Sequence, residues 1–561
     1  MGEARTGAAV PVTTSASGST RATLRAIRGV LRRRADRVDA GEMAFRVYAA
    51  IMLVIIVVAP VVRVALLWLQ HELPQSAAAG DGTVGLVAAA LTAVTALLVL
   101  ASAQFGPARA DLPQVDLLLT APVPRWRLLG GPLARGLVLG AFAGAVAAGI
   151  VVAARAMRAE FDPGLAVALP LAGAAVGLLA AVAPLLGQLG RRTRAGVAAV
   201  LAALVCAQLL GAAAWSAPID PWSCAARLLV DGAASPLLAL APMGCAIAAA
   251  ACAPLLASRL RWEDLRAQAL RWDTMQTLVV AGDPSAGLAR LGSPVRWGRR
   301  LRLQPRGGFT ASIVQRDLLG IARTPGRSLV GLGGVLGAGS MWAAALGSGG
   351  AVDRFAAVSP TGDGLLPFGS AALWGAAALL LAYLSCSAWC RGLAAAAQAT
   401  GSPSLLPASP AGLMARHLFA PVGLAVIAMV AGAIGGEAIR SLLGSGAGGG
   451  AGDGTAWAVL SAALVGCAAV ALRAVAALKG TIPMRLLAPV PTPVGDASGI
   501  NVLLWTLDGP IASVFVGAGL ALVWALAQGG GIPPITALVV SGVGLAAVLL
   551  WARVRLGRPG G

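Results

Sequence analysis

The feature that most constrains this chain is a series of uncharged apolar runs, each about as long as a membrane is thick. A helix needs about 20 apolar residues to cross a bilayer, and twelve segments of the 561-residue chain meet this requirement. They lie at 48–69, 83–103, 136–154, 164–188, 196–216, 235–257, 328–347, 364–389, 418–436, 455–477, 509–527 and 535–552. The runs predict an all-α polytopic membrane protein, because a helix satisfies its backbone hydrogen bonds internally.

Composition supports this prediction. Hydrophobic residues make up 58% of the chain and charged residues only 12%, with a mean hydropathy of +0.81, whereas soluble proteins carry about 25% charged residues. Alanine and glycine are abundant, as expected for helices that pack closely in lipid. Glycine pairs such as Gly140–Gly144 and Gly333–Gly337 are predicted to permit such contact.

The distribution of basic residues predicts the topology. With the N-terminus in the cytoplasm and one crossing per run, the inner segments hold 36 of the 43 lysines and arginines, and the outer loops hold 5. An excess of basic residues marks the cytoplasmic side, so we expect twelve spans with both termini cytoplasmic. Arg63 and Arg473 fall within spans, where a structural role is preferred over substrate contact because long side chains can reach the interface.

The chain divides into two tandem six-helix halves. We expect a disordered tail at 1–20, a first half at 21–257, a cytoplasmic linker at 258–308 and a second half at 309–561. Each half is predicted to open with a helix lying on the inner leaflet, marked by Leu24, Ile27, Leu31 and Arg32 in the first half and by Arg316 and Asp317 in the second. The alternative is that these basic residues only mark the cytoplasmic side and form no ordered helix.

Several kinds of chemistry find no support. Lys479, the only lysine, has no phosphate-binding loop around it, and His71 and His417 have no nucleophile or carboxylate at a motif spacing. We therefore predict no catalytic, metal or cofactor site. The net charge of +20 suits anionic lipids and an acidic partner on the inner face, and no nucleic-acid-reading module accompanies it. The carboxylates can all be placed in loops or at helix ends, which disfavours a secondary transporter.

A proline-rich phrase follows the second run. In "DLLLTAPVPRWRLLGG", Asp116, Leu117 and Leu118 can begin a short helix, which Pro122 and Pro124 would end. Arg125, Trp126 and Arg127 would then begin a second short helix along the interface, with the tryptophan at headgroup depth. Such an elbow is suited to docking a partner, although it can also be a plain turn between spans.

The corresponding place in the second half carries a related phrase. "SLLPASPAGLMARHL" again has a leucine pair, two prolines and an arginine before an apolar helix; its candidate residues are Leu405, Leu406, Pro410 and Arg416. A second copy of "APVP" at 488–491 follows the tenth run, so it is not the equivalent point of the repeat.

"LLLTAPVPRWRLL" resembles the loop between spans 2 and 3 in the membrane subunits of ABC exporters of the second type, and "IVQRDLLGIARTPGRSL" is similar to their juxtamembrane entry. The resemblance implies that Leu117–Leu129 and Leu405–Leu418 meet an ABC-type ATPase subunit. It also implies an outer re-entrant segment with Trp222, Leu228 and Leu229. The second half departs from the pattern, because its loop lacks Arg-Trp-Arg and its last two spans are joined only by "QGGGIPP".

The sequence therefore predicts the membrane-spanning subunit of an ATP-driven exporter, powered by a separate ATPase subunit, in the plasma membrane of a GC-rich bacterium. The presence of further membrane subunits as partners is left open. The alternatives are a non-transporting scaffold or immunity protein derived from a permease, and a membrane-embedded enzyme or secondary transporter.

Overall fold

The fold is given by a computed structural model that describes most of the chain. The described residues are 40–59, 81–118, 124–158, 162–212, 220–232, 236–280, 307–347, 366–401, 408–442, 453–480, 491–492, 495–496 and 498–557, with positions 29, 62, 63, 66, 69, 70, 298, 482, 483, 486 and 488. Three predicted features lie wholly or mostly outside them: the tail at 1–20, the first interfacial helix with Leu24, Ile27, Leu31 and Arg32, and most of the linker at 281–306.

The described chain is helical, apart from one two-residue antiparallel pairing of β1 (Pro491–Thr492) with β2 (Gly495–Asp496). The predicted first half contains α1 (Ala40–Leu53), α2 (Asp81–Phe105), α3 (Leu112–Leu118), α4 (Arg125–Ala156), α5 (Pro163–Gln188), α6 (Arg191–Ala207), α7 (Pro221–Asp231) and α8 (Pro236–Ser258), and the predicted linker contains α9 (Trp262–Val280). The second half contains α10 (Phe309–Ala322), α11 (Pro325–Gly347), α12 (Leu366–Cys386), α13 (Arg391–Gln398), α14 (Pro410–Leu442), α15 (Asp453–Ala477), α16 (Ser498–Gln528) and α17 (Pro534–Leu556).

Ten described helices are long and apolar enough to cross a membrane, and the bent pair α12–α13 makes up to eleven. These coincide in order with the second to twelfth predicted runs. The first run, 48–69, lies partly outside the described residues. The chain is thus a multi-pass helical membrane protein, while the count of twelve and the cytoplasmic termini stay predictions.

The outward surfaces of the spanning helices are apolar. Val138 and Phe142 on α4 and Ile535, Val539 and Val543 on α17 are all largely exposed. Large apolar side chains in such numbers on an outer surface are stable when lipid surrounds them. Their position explains why the chain reads as apolar on almost every helical face.

Glycines allow the closest helix contacts. A Cβ at Gly144 would lie 2.1 Å from the carbonyl oxygen of Gly173, and one at Gly140 would lie 2.7 Å from that of Gly177, so α4 and α5 meet backbone to backbone. The predicted contact through Gly140 and Gly144 is confirmed. Gly333 instead faces Leu97 of α2, where the two halves of the chain touch.

The elbow differs from the prediction in two respects. The short helix α3 begins at Leu112, so Asp116, Leu117 and Leu118 end it rather than begin it. No second short helix begins at Arg125, because α4 runs unbroken from Arg125 to Ala156 and contains Pro132. Leu129 and Leu133 are buried on either side of this proline. A spanning helix, a short helix and a long helix follow one another twice in the chain. Their lengths are 25, 7 and 32 residues in α2–α4, and 21, 8 and 33 residues in α12–α14.

Candidate coupling surface

Segments that the charge pattern assigns to the inner side meet in space. Gln188, at the end of α5, accepts a hydrogen bond from the backbone N–H of Ala108 (3.3 Å) and donates one to its carbonyl (3.1 Å). It also donates to the side chain of Gln268 on α9, at 3.1 Å. Residues from three predicted inner segments thus form one cluster.

Predicted outer segments meet at the opposite helix ends. Arg155, in the last turn of α4, donates hydrogen bonds to the carbonyls of Leu229 (2.7 Å) and Val230 (3.1 Å) near the end of α7. The first turn of α7 is held by Asp220, which caps Trp222 and accepts from Gln208 at 2.7 Å. The predicted re-entrant segment is therefore a short helix clamped by polar contacts at both ends.

We define the elbow as α3 together with the first turn of α4. Three polar contacts tie it to α9 and the residues just before that helix. Arg266 lies 2.8 Å from Asp116, and the indole N–H of Trp262 donates to the carbonyl of Val115 at 3.4 Å. Arg125 donates to the carbonyl of Leu260. The elbow is therefore fixed to the end of the sixth predicted span.

Apolar packing supports these contacts. Val115 of α3 and Leu129 of α4 are fully buried in a cluster with Leu260 and Leu265. Arg109 stacks on Trp272 with its guanidinium carbon 4.6 Å from the ring centre. Burial of this apolar area contributes most of the energy that holds α9 on the elbow, since polar contacts at a partly exposed surface contribute little.

The elbow also presents apolar side chains outward. Leu117 is 72% exposed and Trp126 is 43% exposed, with the Arg127 guanidinium carbon 5.3 Å from the Trp126 ring centre. Pro124 immediately precedes α4, and Leu118 is half-buried. Pro122 lies outside the described residues. The rigid base presents an exposed Trp126 beside a half-buried Arg127, and tryptophan and arginine are residue types that protein interfaces favour.

In the second half, the segments that the charge pattern assigns to the inner side are joined differently. Nδ1 of His417 in α14 lies 2.7 Å from Asp317 of α10, and both side chains are buried, at 4% and 6% exposure. Gly392 at the start of α13 packs directly on the pair, because a Cβ there would lie 2.2 Å from the carboxylate. Sequence reasoning missed this pair, treating the histidine as partnerless and the carboxylate as an interfacial residue.

The other predicted residues of this surface lie around the buried pair. Arg416 donates to the hydroxyl of Thr310 at 3.1 Å and stacks on Phe309 at 5.0 Å. Pro410 begins α14, and Arg316 is exposed on α10. Leu405 and Leu406 lie outside the described residues. The structure thus brings α10, α13 and the start of α14 together.

Of the two charges predicted within spans, Arg473 has structural partners. Arg473 donates to the carbonyls of Tyr383 (2.6 Å) and Leu384 (3.2 Å) in the last turn of α12, which supports the structural role predicted for it. Arg63 is exposed. Of the predicted outer residues, Leu228 is fully buried, while Trp222 and Leu229 are half-buried.

One carboxylate lies deeper in a helix than predicted. Asp508 was expected just before a span, but α16 starts ten residues earlier, at Ser498. It lies 2.5 Å from Lys479 and 2.8 Å from Arg555. Burial lowers the pKa of Lys479, and the hydrogen bond and charge of Asp508 oppose this shift. The expectation that every carboxylate sits in a loop or at a helix end is wrong for this residue.

No protein-family model, no curated protein and no solved structure matches the chain.

Proposed function

We propose that the chain is the membrane-spanning subunit of an ATP-driven exporter, and that a separate ATPase subunit docks on the elbow. The observation that carries the proposal is an exposed apolar pair, Leu117 and Trp126, on a base that buried contacts hold rigid. A partner that does mechanical work needs both properties: an exposed surface that it can bind, and a rigid connection from that surface to the rest of the protein.

The helix that starts in the elbow provides the path for such work. With a rise of 1.5 Å per residue, the 32 residues of α4 extend roughly 48 Å. Its far end carries Arg155, which binds the carbonyls of α7. A push on the first turn of α4 would therefore move the outer helix α7 as well. Inner opening and outer closing would be coupled through one element.

The experiment is purification of the full chain from its native membrane in mild detergent. We expect an ATPase with a phosphate-binding loop to co-purify in stoichiometric amount, and Leu117→Ala/Trp126→Ala to reduce its recovery at least tenfold. Val138→Ala/Phe142→Ala, which removes exposed apolar groups from the lipid-facing side of α4, is the matched control. Absence of any ATPase from the unmodified chain, or equal recovery with the elbow variant, would overturn the proposal.

A further inference from the structure

Cationic side chains are concentrated around the break between α12 and α13, at the inner edge of the second half. They are Arg327, Arg391, Arg473, Lys479 and Arg555. Arg327 interacts electrostatically with Arg391 and Arg473, and Arg473 stacks on Tyr383 at 4.0 Å. Tyr383 in turn lies within electrostatic range of Arg555 and Asp508. The group is therefore one cluster, with cations contributed by α11, α13, α15 and α17 and by Lys479 just after α15.

The cluster contains too few carboxylates to neutralise its cations. Among the described residues, Asp508 and Asp317 are the carboxylates that interact with this region. Asp508 is shared between Lys479 and Arg555, and Asp317 is bound to His417. Arg391 is exposed and the other four cations are half-buried, and the five face at most two carboxylates. Like charges at half-buried positions repel more strongly than in water. An external anion would relieve this repulsion.

Two tryptophans place the cluster at the membrane interface. Lys479 Nζ lies 4.0 Å from the Trp505 ring centre, and the guanidinium carbon of Arg555 lies 4.6 Å from that of Trp551. Tryptophan is enriched at headgroup depth. Lys479 has three donor hydrogens and one described hydrogen bond, to Asp508. Donors remain for an anion that approaches from the interface.

Exposed apolar side chains adjoin the cluster. Leu504 and Leu507 precede Asp508 within one turn of α16, and Leu550 and Val554 flank Trp551 on α17; all four are exposed. A ligand that fits both surfaces carries an anionic head and an apolar body. A soluble phosphate would use the cations and leave the apolar surface to other lipids.

We propose that this cluster is a binding site for an anionic phospholipid, with the headgroup phosphate at the cations of the cluster and the acyl chains along α16 and α17. Basic pockets between spanning helices on the cytoplasmic side bind phospholipid headgroups by this chemistry. The bound lipid would stabilise the break after α12, whose carbonyls already accept hydrogen bonds from Arg327 and Arg473.

The test uses the purified full chain in nanodiscs of phosphatidylcholine, into which phosphatidylglycerol is titrated while thermal unfolding is followed by tryptophan fluorescence. We expect phosphatidylglycerol to raise the Tm, and Arg391→Gln/Lys479→Gln to weaken its apparent affinity about tenfold. Arg192→Gln, which replaces an exposed arginine of the first half, is the control and should leave the apparent affinity for phosphatidylglycerol unchanged. Asp508→Asn removes the compensating carboxylate and should strengthen the dependence on anionic lipid.

Two results would overturn the proposal. One is the same Tm response to phosphatidylglycerol in Arg391→Gln/Lys479→Gln, in the milder single variant Arg391→Gln, and in the Arg192→Gln control. The other is a full Tm rise with inorganic phosphate in pure phosphatidylcholine nanodiscs, which would assign the site to a soluble anion.

Discussion

At the scale of single residues, the most informative contact joins two groups a hundred positions apart in sequence. Asp317 and His417 form a buried pair that fastens α10 to α14. Removing one partner of a buried pair costs about 3–5 kcal/mol, because the other is left unpaired away from water. The pair is therefore a structural bond between α10 and the second turn of α14.

Gly392 provides a test of how tightly this pair is enclosed. Gly392→Ala would place a Cβ 2.2 Å from the Asp317 carboxylate, and such overpacking costs about 2 kcal/mol. We expect a clear loss of thermal stability in detergent. Gly320→Ala on α10, where a Cβ meets nothing within 4 Å, should be neutral or stabilising by up to about 1 kcal/mol. Equal stability of the two variants would mean that the pair is not enclosed as described.

The sequence could not have predicted this pair. Asp317 follows an arginine in a basic amphipathic stretch, and nothing nearby distinguishes it from a solvated carboxylate. His417 stands at the start of an apolar run. Their contact depends on where α10 and α14 lie in space, which no local spacing records. The role of Arg473 was predictable, because an isolated arginine in a span needs backbone or interfacial partners.

At the scale of secondary-structure elements, α9 is the feature that decides how the elbow behaves. The spacing of Trp262, Leu265 and Trp272 makes an amphipathic helix predictable from the sequence. The partner of this helix is not predictable, since the pattern equally fits a helix lying on lipid. In the structure α9 lies on the elbow, with Leu265 buried and Arg266 paired with Asp116.

The two contacts of α9 should differ greatly in strength. Leu265→Ala removes a buried side chain and should cost about 2–5 kcal/mol, releasing α9 from the elbow. Arg266→Ala breaks an ion pair whose side chains are 43% and 37% exposed, so it should cost at most about 1 kcal/mol. Hydrogen–deuterium exchange of α3 and α9 measures how far each variant releases α9 from the elbow. Faster exchange in Arg266→Ala than in Leu265→Ala would contradict the assignment of the binding energy to apolar packing.

At the scale of the whole molecule, helix ends that the sequence predicts to share one side of the membrane also lie together in the structure. The second to twelfth runs each coincide with a described helix, or helix pair, that is long and apolar enough to cross a membrane, because membrane thickness restricts helix length. The contacts of Gln188 at one set of ends and of Arg155 at the other join segments predicted to share a side. Which set faces the cytoplasm is a prediction from the arginine distribution.

Labelling from one side of the membrane tests that orientation. In a cysteine-free background, Leu117→Cys should react with an impermeant maleimide only in inside-out vesicles, because it lies on the arginine-rich side. Met157→Cys, at the opposite end of α4 and exposed, should react only in right-side-out vesicles. The reverse pattern would invert the topology and remove the elbow from the cytoplasm.

Site-specific crosslinking in native membranes tests the central claim most directly. A photoreactive amino acid at position 117 or 126 should crosslink to an ATPase that contains a phosphate-binding loop, identified by mass spectrometry. The same group at Met157 should not. Crosslinks to the ATPase at both elbow positions and none at Met157 are the result that the proposed coupling predicts. No ATPase crosslink at either elbow position, in a chain that is folded and inserted, would contradict it.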